Sequence, residues 1–322
     1  MSRPSILVTR RLPEAVERRI AEHFDATLSA DDRPLDRDAL ADALRRFDAL
    51  IPTITDRIDA ALIGLPDRRT RVLANFGAGL DHIDLAAARA TGLTVTNTPD
   101  ALTEATAELA ILLMLMAARR ASEGERELRA GQWTGWRPTH LVGNSLVGRT
   151  LGLVGFGRIA QSTAAKAKAL GMRITFHSRR APPAEVTAPL EAERLPSLEA
   201  LAATADILSL HVPGGAETRH LIDARILAAM RPDAILVNTA RGEVVDEAAL
   251  ADALAAGTIA AAALDVYERE PAVHARLLDH PRSVLLPHLG SATIETRTAM
   301  GMQAIANLQA FFAGDTPPNR AA

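Results

Sequence analysis

The sequence contains no cysteine and almost no lysine among its 322 residues. Without cysteine, disulfide bonds, thiolate nucleophiles and zinc–thiolate sites are excluded. The only lysines, Lys166 and Lys168, both lie in one predicted helix, which argues against Schiff-base chemistry.

An excess of one charge and long hydrophobic runs are also lacking. The 36 basic and 39 acidic residues give a net charge of −3, which provides no electrostatic case for binding nucleic acid or an anionic membrane. The longest apolar stretch, 109–118, has about half the length needed to cross a bilayer, and residues 1–8 lack the apolar region of a signal peptide. We therefore expect a cytoplasmic protein with neither kind of partner.

What is present is typical of a globular enzyme, with 48% hydrophobic and 23% charged residues over a length that favours two domains. Strand and helix signals alternate, which predicts an α/β fold of two Rossmann-like lobes, each a parallel sheet flanked by helices. We expect residues 1–99 plus 290–322 to form a substrate-binding lobe and 100–289 a dinucleotide-binding domain with six strands. The active site is expected in the interlobe cleft, and the apolar helix 102–119 is expected to be buried between the lobes.

A glycine turn follows the predicted strand 151–154 and precedes a predicted helix, 161–170. Gly155 permits the tight turn, Gly157 lets the backbone approach phosphates, and Ala160 allows close packing of helix on strand. The helix N-terminus is suited to bind the pyrophosphate of a dinucleotide. Alone, such a turn can be merely structural.

Three polar segments follow three further predicted strands of this domain, and each carries one candidate catalytic side chain. Arg241 follows strand 235–237, Glu268 and Glu270 follow strand 261–264, and His288 follows strand 284–286. The carboxyl ends of parallel strands are where ligands bind in open α/β sheets. Each residue alone has an ordinary structural interpretation, but their convergence favours a site.

Residues 238–242 (Asn-Thr-Ala-Arg-Gly), 265–271 (Asp-Val-Tyr-Glu-Arg-Glu-Pro) and 287–293 (Pro-His-Leu-Gly-Ser-Ala-Thr) resemble the three signatures of the D-2-hydroxyacid dehydrogenases. They occur in the same order after a glycine fingerprint, so the resemblance covers nearly the whole chain. It implies a catalytic trio of Arg241, Glu270 and His288, since the family's acid immediately precedes the proline.

This trio suits the reduction of a 2-keto acid. His288 can donate the proton in reduction and accept it in oxidation, because imidazole titrates nearest neutral pH. A neighbouring Glu270 would favour the protonated imidazole. Arg241 offers a planar fork that matches the substrate carboxylate. Neither the trio nor the resemblance implies a metal.

The resemblance also implies substrate contacts in the first lobe and in a Gly- and Trp-containing loop. Residues 75–84 resemble the family's carboxylate-binding loop, with backbone N–H groups of Ala78 and Gly79 as donors and Phe76 as an apolar wall. His82 is expected to be structural. Trp136 resembles the tryptophan that reaches a neighbouring subunit's pocket in glyoxylate reductases, and ordinary interface packing is its alternative. A homodimer is expected.

The end of the second strand of the dinucleotide domain bears on the choice between NAD and NADP. Ser178 stands where relatives that use NAD carry an aspartate, and Arg179 and Arg180 follow. An acidic residue there would bind the ribose hydroxyls and repel a 2′-phosphate, whereas arginine pairs with phosphate. NADP(H) is therefore favoured, and NAD(H) remains possible with an arginine stacked on adenine.

The resemblance implies cofactor contacts along the whole domain, from the glycine fingerprint to the loop after the last strand. Together with the ribose-site residues they are Thr106, Gly155, Gly157, Arg158, Ile159, Ser178, Arg179, Arg180, His211, Val212, Pro213, Thr218, Thr239, Ala240, Arg241, Asp265, His288 and Gly290.

These observations predict an NAD(P)H-dependent reductase of small 2-keto acids, closest in pattern to glyoxylate/hydroxypyruvate reductases. The alternative is a nucleotide-binding, corepressor-like regulatory protein on the same fold. Within the family, 3-phosphoglycerate dehydrogenase is disfavoured because no regulatory domain follows, and formate dehydrogenase because Glu270 stands where that branch has glutamine. A serine hydrolase is rejected, since Ser145 lacks the glycine pattern of a nucleophile elbow.

Overall fold

The computed structural model describes residues 3–322, and the chain divides into two compact units. Unit 1 comprises Met1–Leu102 and Ser291–Ala322, and unit 2 comprises Thr103–Gly290. The chain thus leaves unit 1, builds unit 2 from one continuous segment and returns to unit 1. What each unit binds stays a prediction.

Unit 1 is a parallel sheet with helices in the connections. Its elements are β1 (Ser5–Val8), α1 (Glu14–His23), β2 (Asp25–Thr27), α2 (Arg37–Arg46), β3 (Ala49–Ile51), α3 (Ala60–Ile63), β4 (Val72–Ala74), α4 (Leu85–Thr91), β5 (Thr94–Thr96) and the C-terminal helix Ile294–Ala313. The strand order is β2-β1-β3-β4-β5, and every pairing is parallel.

Unit 1 is stabilised by a core of apolar strand and helix residues and by side-chain caps on several of its helices. Ile6 and Val8 of β1 lie in one core cluster with Val16 of α1 and Leu308 of the C-terminal helix. Aspartate side chains cap three of the helices by accepting a hydrogen bond from a backbone N–H of the first turn, which satisfies an otherwise unpaired donor. They are Asp36 on α2, Asp59 on α3 and Asp84 on α4.

Unit 2 is a larger parallel sheet with helices between the strands. Its elements are α5 (Thr103–Ala118), α6 (Ala121–Arg129), β6 (Thr150–Val154), α7 (Arg158–Ala169), β7 (Arg173–His177), α8 (Ala184–Thr187), β8 (Glu193–Arg194), α9 (Leu198–Thr204), β9 (Ile207–Leu210), α10 (Ala224–Ala229), β10 (Ile235–Asn238), α11 (Glu247–Ala255), β11 (Ala261–Leu264), α12 (Ala275–Leu278) and β12 (Ser283–Leu285).

The strand order is β12-β11-β10-β9-β6-β7-β8, with all pairings parallel. The chain runs outward from β6 to β8, then returns to β9 on the other side of β6. This reversal is the topological switch point of a doubly wound sheet, where ligands bind beyond the carboxyl ends of the strands. The predicted parallel α/β architecture is confirmed.

Both faces of the unit 2 sheet are covered. Within β10, Leu236 belongs to one core cluster, whereas its neighbours Ile235 and Val237 belong to another. Because successive side chains of a strand point to opposite faces, the two clusters lie on opposite sides of the sheet. This explains why the central strands are continuous apolar runs rather than alternating ones.

Helix α5 packs on α7 and on strands β10 and β11, and Glu104 at its start accepts a hydrogen bond from Ser162 of α7 at 2.8 Å. The expected burial of this helix does not extend to all of its apolar residues. Leu112 is 46% exposed and Leu115 is 37% exposed, so one side of the helix is an apolar surface of unit 2.

Most of the predicted elements are present, with three informative differences. Helix α7 begins at Arg158 rather than at the predicted Gln161, because Gly157 directly precedes its first turn. Strand β2 and strand β8 were not predicted, since each is short and mostly exposed. Within residues 3–322, none of the helices combines the length and the apolar character needed to span a membrane.

Candidate active site and dinucleotide cradle

Three loops meet beyond the carboxyl ends of β10, β11 and β12, and they bring Glu270 and His288 into direct contact. The Nδ1 atom of His288 lies 2.9 Å from Oε2 of Glu270. The other carboxylate oxygen of Glu270 accepts the backbone N–H of Tyr267 at 3.0 Å. Both oxygens are thus fixed, and both side chains remain about one-third exposed, so the imidazole is held and still accessible.

The pKa of Glu270 reflects this environment. Burial, the largest influence, would raise the pKa of the carboxyl, but the hydrogen bond and charge of His288, the Tyr267 N–H and the charge of Arg241 together lower the pKa below its usual range. Glu270 is therefore a carboxylate at neutral pH, and its oxygen next to Nδ1 of His288 can act only as a hydrogen-bond acceptor.

The His288 backbone is held by Asp265. His288 has a left-handed φ of 54°, which is uncommon for a residue other than glycine. The buried Asp265 carboxylate accepts the N–H of Leu289 at 2.7 Å and of Gly290 at 2.9 Å, and the carbonyl of Asp265 accepts the N–H of His288. Burial raises the pKa of Asp265 to about 6, against the lowering effect of those N–H groups and of His288.

Thr106 contributes to the same loop. Its hydroxyl is buried and donates to the carbonyl of Gly290 at 3.0 Å, and a methyl group on Gly290 would lie within 3.5 Å of the Thr106 and Asp265 side chains. The structure thus places two predicted cofactor contacts, Thr106 and Asp265, as anchors of the loop that carries His288. Their contact with a cofactor stays a prediction.

Arg241 occupies a turn that is closed by Asn238. The Asn238 side chain donates to the carbonyl of Arg241 at 2.9 Å and accepts the N–H of Ala240 at 3.0 Å. The next residue, Gly242, packs directly on the backbone of Tyr267, where an added methyl group would lie 1.8 Å from the carbonyl carbon. Glycine is therefore required at position 242, and this close packing fixes the Arg241 turn against the Glu270 loop.

Glu268, the competing carboxylate, is engaged elsewhere. Its Oε1 lies 2.7 Å from Nε2 of His220 and 3.2 Å from Nη2 of Arg219. Its backbone N–H donates to Glu247. The structure thus pairs His288 with Glu270 and Glu268 with a different histidine, which gives a physical reason for selecting Glu270.

The glycine turn after β6 has the features of a phosphate cradle. Gly155 has a φ of 86°, and a methyl group there would lie 2.7 Å from the carbonyl oxygen of His211. A methyl group on Gly157 would meet no atom within 4 Å, and α7 begins at Arg158 with no side-chain cap. Helix α7 therefore begins directly after the glycine turn, and a helix N-terminus in this position is suited to bind an anion.

The residues around this cradle fit a dinucleotide. The hydroxyl of Thr239 is buried without a hydrogen-bond partner among the described residues, as expected for a group that a ligand would satisfy. His211 lies under the turn, bonded to Ser209 at 2.9 Å, and burial lowers the pKa of His211 to about 4. Val212 contacts the same turn, whereas the hydroxyl of Thr218 donates to Pro213 within its own loop.

The predicted ribose-site residues lie beyond the end of β7 and are exposed, apart from the half-buried Ser178. Its hydroxyl donates to the carbonyl of Arg180 at 2.7 Å. Arg179 pairs with Glu217. A residue absent from the prediction, Arg194 of β8, donates from Nη2 to the carbonyl of Ser178 at 2.8 Å.

In unit 1, three backbone carbonyls of the loop that begins at Asn75 accept side-chain hydrogen bonds. The Asn75 side chain donates to Gly77 and Gly79, and Asn97 donates to Ala78 at 2.8 Å. Phe76 is half-buried, and the donor role of the Ala78 and Gly79 N–H groups stays a prediction. His82 is bonded to Asn75 at 2.9 Å. In unit 2, Trp136 is 83% exposed.

Tyr267 is a positioning residue that the sequence reasoning missed. Besides the N–H that holds Glu270, its hydroxyl donates to the carbonyl of Leu286 at 2.8 Å, two residues before His288. It is the only tyrosine in the sequence, and this was the one feature of the sequence that could have drawn attention to its positioning role.

Comparison with known proteins agrees with this geometry. Residues 111–290 match the D-isomer specific 2-hydroxyacid dehydrogenase family, NAD binding domain. The chain is 46% identical over 325 residues to a glyoxylate reductase of Aeropyrum pernix, covering 99% of this chain and 96% of the relative. It is 42% identical over 320 residues to one from Thermococcus onnurineus, covering 98% and 95%.

Among solved structures, an NADPH-dependent glyoxylate/hydroxypyruvate reductase from Sinorhizobium meliloti, in complex with NADP and malonate, is similar with a TM-score of 0.86 and 36% identity. The match covers 100% of this chain and 97% of that chain. Fold and relatives together define an oxidoreductase that uses a nicotinamide dinucleotide and reduces 2-keto acids. The chain belongs to the D-isomer specific 2-hydroxyacid dehydrogenase family. The corepressor-like alternative is not favoured by these relatives.

Proposed function

We propose that this protein reduces small 2-keto acids of the glyoxylate and hydroxypyruvate type to D-2-hydroxy acids, with NADPH as the preferred electron donor. The observation that carries the proposal is the Glu270–His288 pair, held at 2.9 Å in the unit that matches the family's NAD binding domain. The printed names of the relatives support the choice of substrate class.

His288 is the general acid of reduction in this proposal. Glu270 occupies Nδ1, so Nε2 carries the proton that is transferred to the keto oxygen as negative charge develops there. A positioned acid of this kind contributes roughly 10²–10⁴-fold in rate. In the reverse direction the neutral imidazole accepts the hydroxyl proton at Nε2. When bound, the nicotinamide cofactor supplies the hydride in reduction and accepts it in oxidation.

Arg241 binds and orients the substrate. Its guanidinium can pair with the carboxylate in a two-point contact and polarise the adjacent keto oxygen. The Asn238 contacts and the Gly242 packing limit the movement of the turn that carries it. For Phe76, Ala78 and Gly79 the role in substrate binding stays a prediction from the sequence.

The preference for NADPH rests on charge at the end of β7. Ser178 stands where an acidic residue would repel a 2′-phosphate, and two arginines follow it. Ser178 can donate to a phosphate oxygen in place of its present bond to the Arg180 carbonyl.

A homodimer is also proposed. Unit 2 exposes several large apolar side chains on α5, on α6 and in the loop that follows, and exposed apolar patches mark sites of contact between proteins. They are Leu112, Leu115, Leu128, Trp133, Trp136 and Val142. Sedimentation of the parent protein and of the Trp136→Ser variant tests this. If both proteins are monomers at micromolar concentration, the proposal is contradicted.

The function is tested by measuring the oxidation of NADPH and NADH with glyoxylate, hydroxypyruvate, pyruvate and phenylpyruvate. We expect the highest kcat/KM with NADPH and either glyoxylate or hydroxypyruvate. Chiral chromatography should show the D-isomer of the product from hydroxypyruvate, since the product from glyoxylate has no stereocentre. If the protein binds the dinucleotide but reduces none of these keto acids, the proposed reductase activity is refuted and the regulatory alternative is favoured.

A further inference from the structure

The end of β7 carries one more cationic group than the sequence motif suggests. Strand β8 is only Glu193–Arg194, yet its pairing register sets Arg194 beside Phe176 of β7, and the next backbone N–H, of Leu195, donates to the carbonyl of Phe176 at 2.8 Å. Arg194 is therefore fixed at the sheet edge beside the final turn of β7, although it is 16 residues away in sequence from Ser178.

The Arg194 side chain reaches over this turn. Its Nη2 donates to the carbonyl of Ser178 at 2.8 Å, which uses one of the five N–H donors of a guanidinium. The Ser178 hydroxyl closes the same turn through the Arg180 carbonyl. The turn thus carries the serine hydroxyl and is contacted at its backbone by a guanidinium, whose direction that contact sets.

The surrounding charges are favourable to an anion. Within residues 3–322, no carboxylate forms an ion pair with Arg180 or Arg194, whereas Arg179 pairs with Glu217. That pair is exposed on both sides, at 79% and 77%, and exposed ion pairs contribute little stability. Arg179 can therefore exchange Glu217 for a phosphate, but Arg194 needs no such exchange.

We infer that Arg194 is a specificity-determining residue that binds the 2′-phosphate of NADP(H) with two parallel N–H donors, while its contact to Ser178 holds the fork in place. This rests on the proposed preference for NADPH. Arginine binds phosphate in this planar, two-point manner, and no equivalent acceptor exists on the unphosphorylated ribose of NAD(H).

Calorimetric titration without substrate tests the inference. The parent protein, Arg194→Ala and Arg194→Lys are titrated with NADPH, NADH, adenosine 2′,5′-bisphosphate and 5′-AMP. Arg173→Ala is the matched control, since it removes one positive charge from the opposite end of the neighbouring strand β7. Because Arg194 is exposed, the variants are expected to fold, and circular dichroism checks this.

We expect Arg194→Ala to weaken NADPH and the 2′,5′-bisphosphate by about 5- to 20-fold and to leave NADH and 5′-AMP within about twofold. Lysine should restore part of the loss, because it keeps the charge without the fork. Equal effects on phosphorylated and unphosphorylated ligands, or none, would overturn the role of Arg194. If the parent protein binds NADH more tightly than NADPH, the proposed cofactor preference is overturned instead. Titrations of the variants thus test the role of Arg194, and titrations of the parent protein test the cofactor preference.

Discussion

At one end of the unit 2 sheet, the loops beyond β10, β11 and β12 are tied to one another by buried groups, whereas beyond β7 and β8 the polar side chains are exposed and paired loosely. Asp265 and Gly242 are buried and in close contact with the backbone of neighbouring loops. Arg179 and Glu217 form an ion pair that is exposed on both sides. Under the proposed function, the acid–base pair is thus held by buried groups, whereas the residues proposed to select the dinucleotide are surface charges.

The largest effect that would test this contrast is expected from His288→Ala. Removing the acid–base group should lower kcat by about 10²–10⁴-fold, whereas the Kd for NADPH should stay within about twofold because the glycine cradle is untouched. Stopped-flow and titration measure the two quantities. His23→Gln on α1 is the control and should keep kcat, and substantial turnover by His288→Ala would remove this residue from proton transfer.

Gly242→Ala tests how tightly the loops interlock. The added methyl group would lie 1.8 Å from the Tyr267 carbonyl carbon, so backbone must move, and overpacking of this kind costs about 3 kcal/mol, or roughly 5–10 °C in Tm. Gly124→Ala, in α6 with only ordinary contact at 3.4 Å, is the matched control and should keep or raise Tm. If the two variants have the same Tm, the loops are not interlocked.

Ser178→Asp tests the exposed end. A carboxylate there should repel the 2′-phosphate and accept from the ribose hydroxyls, so the ratio of kcat/KM for NADPH to that for NADH should fall by about 10- to 100-fold. Tm should change little, because the site is at the surface. Ser178→Asn supplies the neutral comparison. An unchanged ratio in the aspartate variant is the outcome that rejects this ribose site.

Asp265→Asn gives a smaller, pH-dependent effect. Because burial raises the pKa of Asp265 to about 6 from about 3.9 in an unfolded chain, the folded state favours the protonated carboxyl. The contribution of Asp265 to the stability of the parent protein therefore falls as pH rises from about 4 to 6, and asparagine makes no such contribution. The Tm of the parent minus that of the variant should fall by a few degrees over this range, and a constant difference would contradict the raised pKa.

Residues whose neighbours in sequence determine their position were predictable. Strand β11 is an apolar run with the predicted bounds, and β10 begins at the predicted Ile235. The segments that carry Arg241, Glu270 and His288 were predictable because each directly follows such a strand. The position before the proline already favoured Glu270 over Glu268, and the structure adds that Glu268 contacts His220 instead.

Residues placed by long-range pairing were not predictable. Strand β8 has two exposed residues and no periodicity, so nothing in the sequence links Arg194 to Ser178. The anchoring roles of Thr106 and Tyr267 depend on the distance between elements far apart in the chain. The apolar sequence of α5 likewise does not reveal that Leu112 faces outward.

The return of the chain to unit 1 has a consequence for how the protein is made. Ile6 and Val8 share their core with Leu308 of the C-terminal helix, and the N–H of Val95 donates to the carbonyl of Ala322. A ribosome synthesises those partners only after all of unit 2 has been synthesised. While unit 2 is being synthesised, part of the apolar surface of the N-terminal strands therefore stays exposed. The chain is then most prone to aggregation and most dependent on chaperones.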